Sequence, residues 1–154
     1  MDIQPYTSVG PVRFGMSETE VRAVLGAPQS PRKDGSGDLV LRYGYLRVTV
    51  GVSGAVEVGV VPEIPTTHAG IDIFSSPSAF AGLCLMDGAP QESSGFIILL
   101  KLGITMTGFH DGDESQKAVT AFVAGRWDVF KPEMKPFSLV RYRRGQASSS
   151  KGGG

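Results

Sequence analysis

The chain has 154 residues, the usual length of one domain, with 41% hydrophobic and 19% charged residues and a formal net charge of zero. Its longest apolar run, residues 96–100, is too short to cross a membrane, and residues 1–5 contain no basic or apolar signal-peptide region. The single cysteine, Cys84, cannot form an intramolecular disulfide, so we expect a cytoplasmic protein with one hydrophobic core.

A capping box marks the first predicted helix. Ser17 is a favourable N-cap residue, and Glu20, three residues later, is placed to accept a hydrogen bond from the Ser17 amide. An apolar stripe at helical spacing follows, formed by Val21, Val24 and Leu25. Gly26 and Pro28 end the helix after about two turns, and a helix this short must dock on other elements to be stable.

The residues after this helix predict an antiparallel meander. A polar, Gly-rich link over residues 30–38 precedes a predicted strand over residues 39–43. Alternating valines over residues 46–52 and 56–60 predict two further strands, with Ser53 and Gly54 as the hairpin turn between them.

The second half repeats this order of elements. Residues 71–74 predict a short lead-in strand, Ser76 an N-cap, and Pro77 the first position of a second helix. The apolar stripe of that helix is Phe80, Leu83 and Cys84. Strands are predicted over residues 96–102, 104–109 and 117–124.

These elements predict an α+β fold of two related units, each a short helix followed by an antiparallel β-meander. The first unit spans residues 10–62 and the second spans residues 69–125. Residues 126–140 are predicted to be an irregular aromatic segment, and residues 141–154 a disordered basic tail rich in Ser and Gly.

Charge is divided unevenly between the units and the C-terminal residues. Residues 1–125 carry 8 Lys or Arg and 13 Asp or Glu, whereas residues 126–154 carry 7 and 2. Because the predicted folded part is acidic, we do not expect a nucleic-acid partner, and the basic tail is interpreted as solvated.

The run from Gly15 to Pro28 (Gly-Met-Ser, then Val21, Leu25-Gly26 and Pro28) resembles the helix that characterises the small-protein-A/OmlA family. The tandem arrangement is similar to β-lactamase-inhibitory-protein-like folds and to some bacterial immunity-type proteins. The resemblance implies a short helix before a small antiparallel sheet, and a tendency to bind other proteins.

No group of residues predicts catalysis, a metal site or a cofactor. Cys84 lies on an apolar helical stripe, which favours a buried, inert thiol over a nucleophile. His68 and His110 are expected at the surface, and two isolated histidines do not make a zinc site. Residues 111–122 begin like a calcium loop, but Gln116 and Phe122 occupy the positions that need Gly and Glu.

The predicted first sheet carries the candidate partner-binding residues, which are Arg42, Tyr43, Tyr45 and Arg47. Alternation places Tyr45 and Arg47 opposite the valine face, and Tyr and Arg are enriched at interaction hot spots. An ordinary solvated sheet face is the alternative interpretation.

The predicted function is therefore a non-enzymatic protein-binding module, of the immunity or inhibitor type. Two alternatives remain from the sequence. One is a small-ligand sensor or degenerate enzyme with a site between the two halves, and the other is a structural subunit of a larger assembly.

Overall fold

The computed structural model describes the backbone of residues 1–152 and the side chains of residues 1–146. Within this part of the chain, three α-helices and fourteen strands follow one another. The helices are α1 (Glu18–Leu25), α2 (Ala79–Asp87) and α3 (Leu139–Gly152). The strands are β1 (Ile3–Gln4), β2 (Ser8–Val9), β3 (Val12–Arg13), β4 (Gln29–Lys33), β5 (Leu39–Tyr43), β6 (Leu46–Gly51), β7 (Gly54–Val60), β8 (Thr67–His68), β9 (Ile71–Asp72), β10 (Gln91–Ser93), β11 (Phe96–Leu99), β12 (Ile104–Thr107), β13 (Ala118–Phe122) and β14 (Lys135–Pro136).

One antiparallel sheet of nine strands dominates the fold, in the order β14-β10-β11-β12-β13-β7-β6-β5-β4. Strands β4–β7 and β10–β13 are each neighbours in sequence order, and the two runs meet where β7 pairs with β13. The predicted α+β class with antiparallel sheet structure is thus confirmed. Two small sheets, β1–β3 and β8–β9, complete the strand inventory of the described residues.

The main hydrophobic core lies between one face of this sheet and helices α1 and α2. Alternate residues of the strands point into it, as the two-residue period of a strand requires. Its members include Val21 of α1, Leu83 of α2, Val48, Val58 and Met106. The residues between these core positions point to the opposite side of the sheet.

Helix α1 forms as its sequence predicts. The Ser17 hydroxyl accepts a hydrogen bond from the Glu20 amide, and the Glu20 carboxylate accepts one from the Ser17 amide, both at 3.2 Å. Gly26 is the C-cap residue, with φ +89°, and Val21 is fully buried. The capping box is therefore confirmed.

The hairpin between β6 and β7 turns one residue earlier than predicted. Gly51 pairs with Gly54, so that Val52 and Ser53 form the turn. Gly54 has a φ of +107°, and the backbone of Gly15 lies where a side chain at position 54 would be. Only glycine fits this position. Gly54 is therefore the first residue of β7 and not a residue of the turn.

Residues 29–33 form strand β4, where the sequence predicts a polar link. All five side chains are exposed, so no apolar alternation marks this strand. It is an edge strand that contains Pro31 and Lys33, and the opposite edge, β14, consists of Lys135 and Pro136. Proline and lysine at both edges oppose pairing with a further strand.

Helix α2 begins at Ala79, two residues later than predicted. Residues 76–79 form a separate turn, in which the Ala79 amide donates to the Ser76 carbonyl at 3.1 Å. The N-cap residue is Ser78, whose side chain makes no capping hydrogen bond. Gly88 ends the helix in the left-handed conformation. The predicted stripe of Phe80, Leu83 and Cys84 is buried.

The aromatic segment after β13 crosses the sheet on the side away from α1 and α2. The Trp127 ring lies 5.5 Å from the Phe96 ring and 6.2 Å from the Phe122 ring. The segment contains a 3-10 helix over Asp128–Glu133 before it pairs through β14. It therefore covers the part of this face that belongs to β11–β13.

Helix α3 lies where the sequence predicts the end of the aromatic segment and a disordered tail. The Tyr142 amide donates to the Ser138 carbonyl at 3.1 Å, and the Tyr142 ring lies 5.1 Å from the Phe80 ring. This ring contact gives the helix a tertiary anchor that composition does not reveal. The remainder of the predicted tail, from residue 147 in its side chains and from residue 153 in its backbone, lies outside the described residues.

Candidate functional site

The structure brings three of the four predicted binding residues together. Arg42 and Arg47 lie directly opposite each other on β5 and β6. Their sequence neighbours Leu41 and Val48 face the helix-side core, so both arginines lie on the other side of the sheet. Tyr45, 59% exposed, lies in the turn that joins the two strands.

Tyr43 lies on the opposite side of the sheet from this group. Its ring packs against the hydrophobic core, and its hydroxyl donates to the Gly26 carbonyl at 3.0 Å. Burial raises the pKa of Tyr43 above its ordinary value. Tyr43 thus ties β5 to the end of α1 and does not belong to the surface formed by the two arginines.

A cleft of about 350 Å³ opens next to Arg42 and Arg47. It lies over the junction of β7 and β13, where the two meanders meet. Residues of both meanders line it. They include Arg42, Tyr45, Arg47, Gly59, Ala118 and Thr120. A volume of about 300–1,000 Å³ is common among small-molecule sites, so the cleft is large enough to hold one small chemical group.

Gly59 forms the floor of this cleft. A β-carbon at position 59 would lie 3.6 Å from Arg47 Nη2, 3.8 Å from Arg47 Nε and 3.4 Å from Thr120 Oγ1. The Arg47 guanidinium therefore lies close over the backbone of β7, beside Thr120, which is the cross-strand partner of Gly59. Sequence reasoning missed Gly59 and Thr120. A glycine inside an alternating valine strand is the signal that indicates such a close approach.

Arg42 and Arg47 take part in none of the salt bridges of the described residues. Among residues 1–146, neither Arg42 nor Arg47 makes a hydrogen bond or an ion pair through its side chain. Like charges directly opposite each other on neighbouring strands are destabilising. This arrangement is therefore one that packing and stability alone do not favour.

A third arginine, Arg126, differs from Arg42 and Arg47 because it forms salt bridges. Arg126 Nε lies 2.8 Å from Glu57 Oε1, and its Nη1 lies 3.3 Å from Asp38 Oδ2. Burial acts to lower the pKa of Arg126, but the interactions with Glu57 and Asp38 outweigh it and raise the pKa. Arg126 is thus a paired structural residue, in contrast to Arg42 and Arg47.

Arg42 and Arg47 also line a second cleft, of about 390 Å³, on their other side. Arg32 and Lys33 of β4 line this cleft as well, and so do the acidic residues Asp34 and Glu57. The hydroxyl of Thr49, on β6, lies in the same cleft and has no hydrogen-bond partner among the described residues. We call the sheet surface formed by Arg32, Arg42, Arg47, Gly59 and Thr120 the open face. Three of these five residues are basic, and Glu57, which pairs with Arg126, lies on the same face.

Cys84 is buried, as predicted. Its side chain is 1% exposed, and burial, with a contribution from Asp87, raises the pKa of the thiol to about 12. The thiolate is the nucleophilic form of cysteine, so this side chain is poorly suited to nucleophilic chemistry at neutral pH.

We expect Cys84 in the folded chain to react with iodoacetamide at least about 100-fold more slowly than in urea, because the raised pKa and burial both suppress the accessible thiolate. A chain with Ser36→Cys supplies a matched exposed thiol as the control. The raised pKa also means that deprotonation favours the unfolded chain, so the free energy of unfolding should fall between about pH 9 and 12. Peptide mapping of the labelled protein measures the rates, and equal rates in both states would contradict this assignment.

His68 and His110 are predicted at the surface, but both are half-buried in the structure. His68 Nδ1 donates to the Ile3 carbonyl at 2.9 Å, and so joins the link between the halves to the N-terminal strands. The His110 ring packs edge-on against Phe137, and its Nδ1 is buried without a partner among the described residues. The carboxylate of Asp113 accepts hydrogen bonds from Ser115. No cluster of three or more potential metal-binding side chains occurs in the described part of the chain.

Asp87 is a buried carboxylate that the sequence analysis did not single out. It accepts hydrogen bonds from the amides of Lys101 at 2.8 Å, Leu102 at 3.2 Å and Ala89 at 3.3 Å. The carboxylate therefore holds the loop between β11 and β12 against the end of α2. Its oxygens are engaged by backbone amides, which is typical of a structural residue.

None of the described helices is both long enough and apolar enough to cross a membrane. Comparison of the chain with protein-family models, with curated proteins and with solved structures finds no match. The evidence on function is therefore the geometry and charge of the open face, where Arg42 and Arg47 lie unpaired beside a cleft at the junction of the two meanders.

Proposed function

We propose that this protein is a non-enzymatic binding module of the immunity or inhibitor type, which contacts another protein through its open face. One observation carries the proposal. Arg42 and Arg47 lie directly opposite each other and make no salt bridge with another described residue. A partner that supplies negative charge would relieve the repulsion between them, so binding would use an arrangement that is unfavourable in the free protein.

The charge of the open face defines the kind of partner. Arg32 extends the positive charge of the arginine pair toward the edge of the sheet, where Asp34 and Glu57 line the same second cleft. Tyr45 adds a large, exposed and amphipathic side chain beside them. Arginine and tyrosine are the residues that most often carry binding energy at protein interfaces. We therefore propose an acidic partner surface that covers the arginine pair.

The sheet edges do not favour the other common mode of binding by a sheet, which is the addition of a strand. Both edges of the nine-stranded sheet contain a proline and a lysine, in β4 and β14. Proline lacks the amide that a pairing strand needs, and lysine charge opposes close approach of a strand. The face of the sheet is thus the better candidate surface.

The proposal includes an architectural relationship. We propose that residues 10–62 and 69–125 are two related helix-plus-meander units, which the strand order β4–β7 and β10–β13 supports. The resemblance to the small-protein-A/OmlA family and to β-lactamase-inhibitory-protein-like folds is part of the same proposal. So are a cytoplasmic location and the absence of membrane and nucleic-acid partners.

A specific observation favours a second candidate function, a small-ligand sensor. The cleft of about 350 Å³ lies between the two halves, with Gly59 from β7 and Thr120 from β13 at its floor. Its size is within the range of small-molecule sites. A ligand held there would contact both meanders at once.

We expect the double variant Tyr45→Ala/Arg47→Ala to weaken binding to the protein partner by about 30-fold or more, which corresponds to a hot-spot loss of about 2 kcal/mol. Both side chains lie outside the helix-side core, so the variant should keep its thermal stability. The partner is captured from the source cell on wild-type bait, and its affinity for each purified variant is then measured by calorimetry.

The matched control is Arg13→Ala/Leu85→Ala, which removes one exposed arginine and one exposed apolar side chain elsewhere on the surface. This control should retain full affinity. Equal affinity of the wild type and the Tyr45→Ala/Arg47→Ala variant for one specific partner would remove the open face from the proposal.

A further inference from the structure

We propose that Arg42 and Arg47 together bind one carboxylate of the partner, in the cleft over Gly59 at the junction of β7 and β13. This inference rests on the proposed function and gives its chemistry. Arg42 and Arg47 are directly opposed residues of neighbouring strands, and both residues line the same cleft. A single carboxylate placed between them can accept hydrogen bonds from both, since arginine presents several N–H donors in one plane.

Gly59 lies beneath the Arg47 guanidinium. A β-carbon at position 59 would contact the Arg47 guanidinium, at 3.6 Å from Nη2 and 3.8 Å from Nε. Glycine inside a strand lowers stability and often marks a close approach by another group. Gly59 thus leaves the backbone of β7 uncovered beneath the Arg47 guanidinium.

Thr120 supplies a third donor. Its hydroxyl lies 3.4 Å from the same β-carbon position, next to the Arg47 guanidinium. The hydroxyl has no hydrogen-bond partner among the described residues. A carboxylate has two oxygens and about four acceptor positions, so it can engage the hydroxyl and both guanidinium groups together.

The remaining walls of the cleft select the carrier of the carboxylate. Val61 and Ala118 line the cleft next to Thr120, and the Tyr45 side chain lines it from the hairpin turn. These groups are apolar or aromatic, so they suit an anion that is attached to an apolar group. Because the proposed partner is a protein, the anion is a carboxylate of a terminal or acidic residue that has an apolar or aromatic neighbour.

The test uses the 154-residue chain without its partner, titrated with 3-phenylpropionate, which carries one carboxylate on an apolar group. We expect a Kd on the order of 1–10 mM, as for other fragments of this size. The chemical shifts of the Gly59 and Thr120 amides and of the Arg42 and Arg47 Nε–Hε groups should change together. The uncharged analogue 3-phenylpropionamide should bind at least about 10-fold more weakly, since it lacks the charge that strengthens these hydrogen bonds.

Two variants and one control define the site. Arg42→Gln/Arg47→Gln should abolish these shift changes, and Thr120→Val should raise the Kd by about 3–10-fold, the cost of one lost donor. Arg13→Gln/Arg144→Gln removes the same charge from exposed positions elsewhere and should leave the Kd unchanged. Unchanged folding of each variant is verified by its amide spectrum.

Two results would overturn the inference. The first is the absence of shift changes at these four residues, or equal changes in the Arg42→Gln/Arg47→Gln variant. The second is tighter binding of inorganic phosphate than of 3-phenylpropionate at the same residues, which would assign the site to a phosphate group. Partner capture is measured separately, so loss of capture in Tyr45→Ala/Arg47→Ala without carboxylate binding would leave the proposed function standing while removing this inference.

Discussion

Replacing Phe80 with alanine should lower the free energy of unfolding by about 3–5 kcal/mol, the usual cost of removing a buried aromatic ring. Phe80 is 5% exposed and lies at the centre of a cluster of rings. Its ring centroid is 5.9 Å from that of Phe109, 5.8 Å from that of Phe137 and 5.1 Å from that of Tyr142. The cavity left by the substitution would lie where α2 meets α3, so it would not be filled by one neighbour alone.

The same substitution should loosen α3. The amide of Tyr142, which donates to the Ser138 carbonyl, should exchange with solvent faster than in the wild type, because the ring contact with Phe80 anchors this helix. Leu85→Ala is the matched control, since Leu85 lies on the same helix and is 61% exposed. Urea denaturation measures the stabilities. A loss of less than about 1 kcal/mol in Phe80→Ala would mean that the ring cluster is not a close-packed part of the core.

Gly54→Ala should destabilise the protein by about 3 kcal/mol or more, because two penalties add. A φ of +107° lies in a region that residues with a β-carbon rarely adopt, which costs about 1–3 kcal/mol. A β-carbon at position 54 would also overlap the backbone of Gly15, and overpacking costs about 1–3 kcal/mol more. The substitution would push Gly15, which precedes α1, away from β7. It would thereby strain the hydrogen bond that the Gly15 amide donates to the Ala55 carbonyl at 3.0 Å.

Gly44→Ala separates these two penalties. Gly44 also has a positive φ, of +66°, but no atom lies near the position of its β-carbon. Its substitution should cost only about 1–2 kcal/mol, from backbone strain alone. Denaturation midpoints at an unchanged slope measure both variants. Equal costs for Gly54→Ala and Gly44→Ala would show that contact with Gly15 contributes nothing to stability.

Local signals in the sequence predict the elements that carry a strong apolar pattern. The capping box of Ser17 and Glu20 locates α1, and the alternating valines locate β6 and β7. Strands β4 and β14 lack such a pattern, because edge strands with exposed side chains have no apolar face to alternate. Helix α3 was missed for a related reason, since its anchor is the distant ring of Phe80 and not its own composition.

The candidate site shows the same division. Alternation along β6 is enough to place Arg47 on the side opposite the core, and the exposure of Tyr45 follows from its place in a turn. The same alternation places Tyr43, which follows Arg42 on β5, on the other face of the sheet, contrary to the prediction that it belongs to the binding surface. The sequence alone therefore identifies the arginine pair but not the surface around it.

By itself the sequence determined the α+β class, helix α1, the central strands and the burial of Cys84, because each depends on patterns within about ten residues. Only the tertiary structure decided that β7 pairs with β13, which sets Gly59 beside Thr120 and opens the cleft next to Arg47. It also decided which arginine is neutralised, since Arg126 reaches Glu57 across 69 residues of chain. Such pairings depend on which strands become neighbours and in which register, and local periodicity carries no information about either.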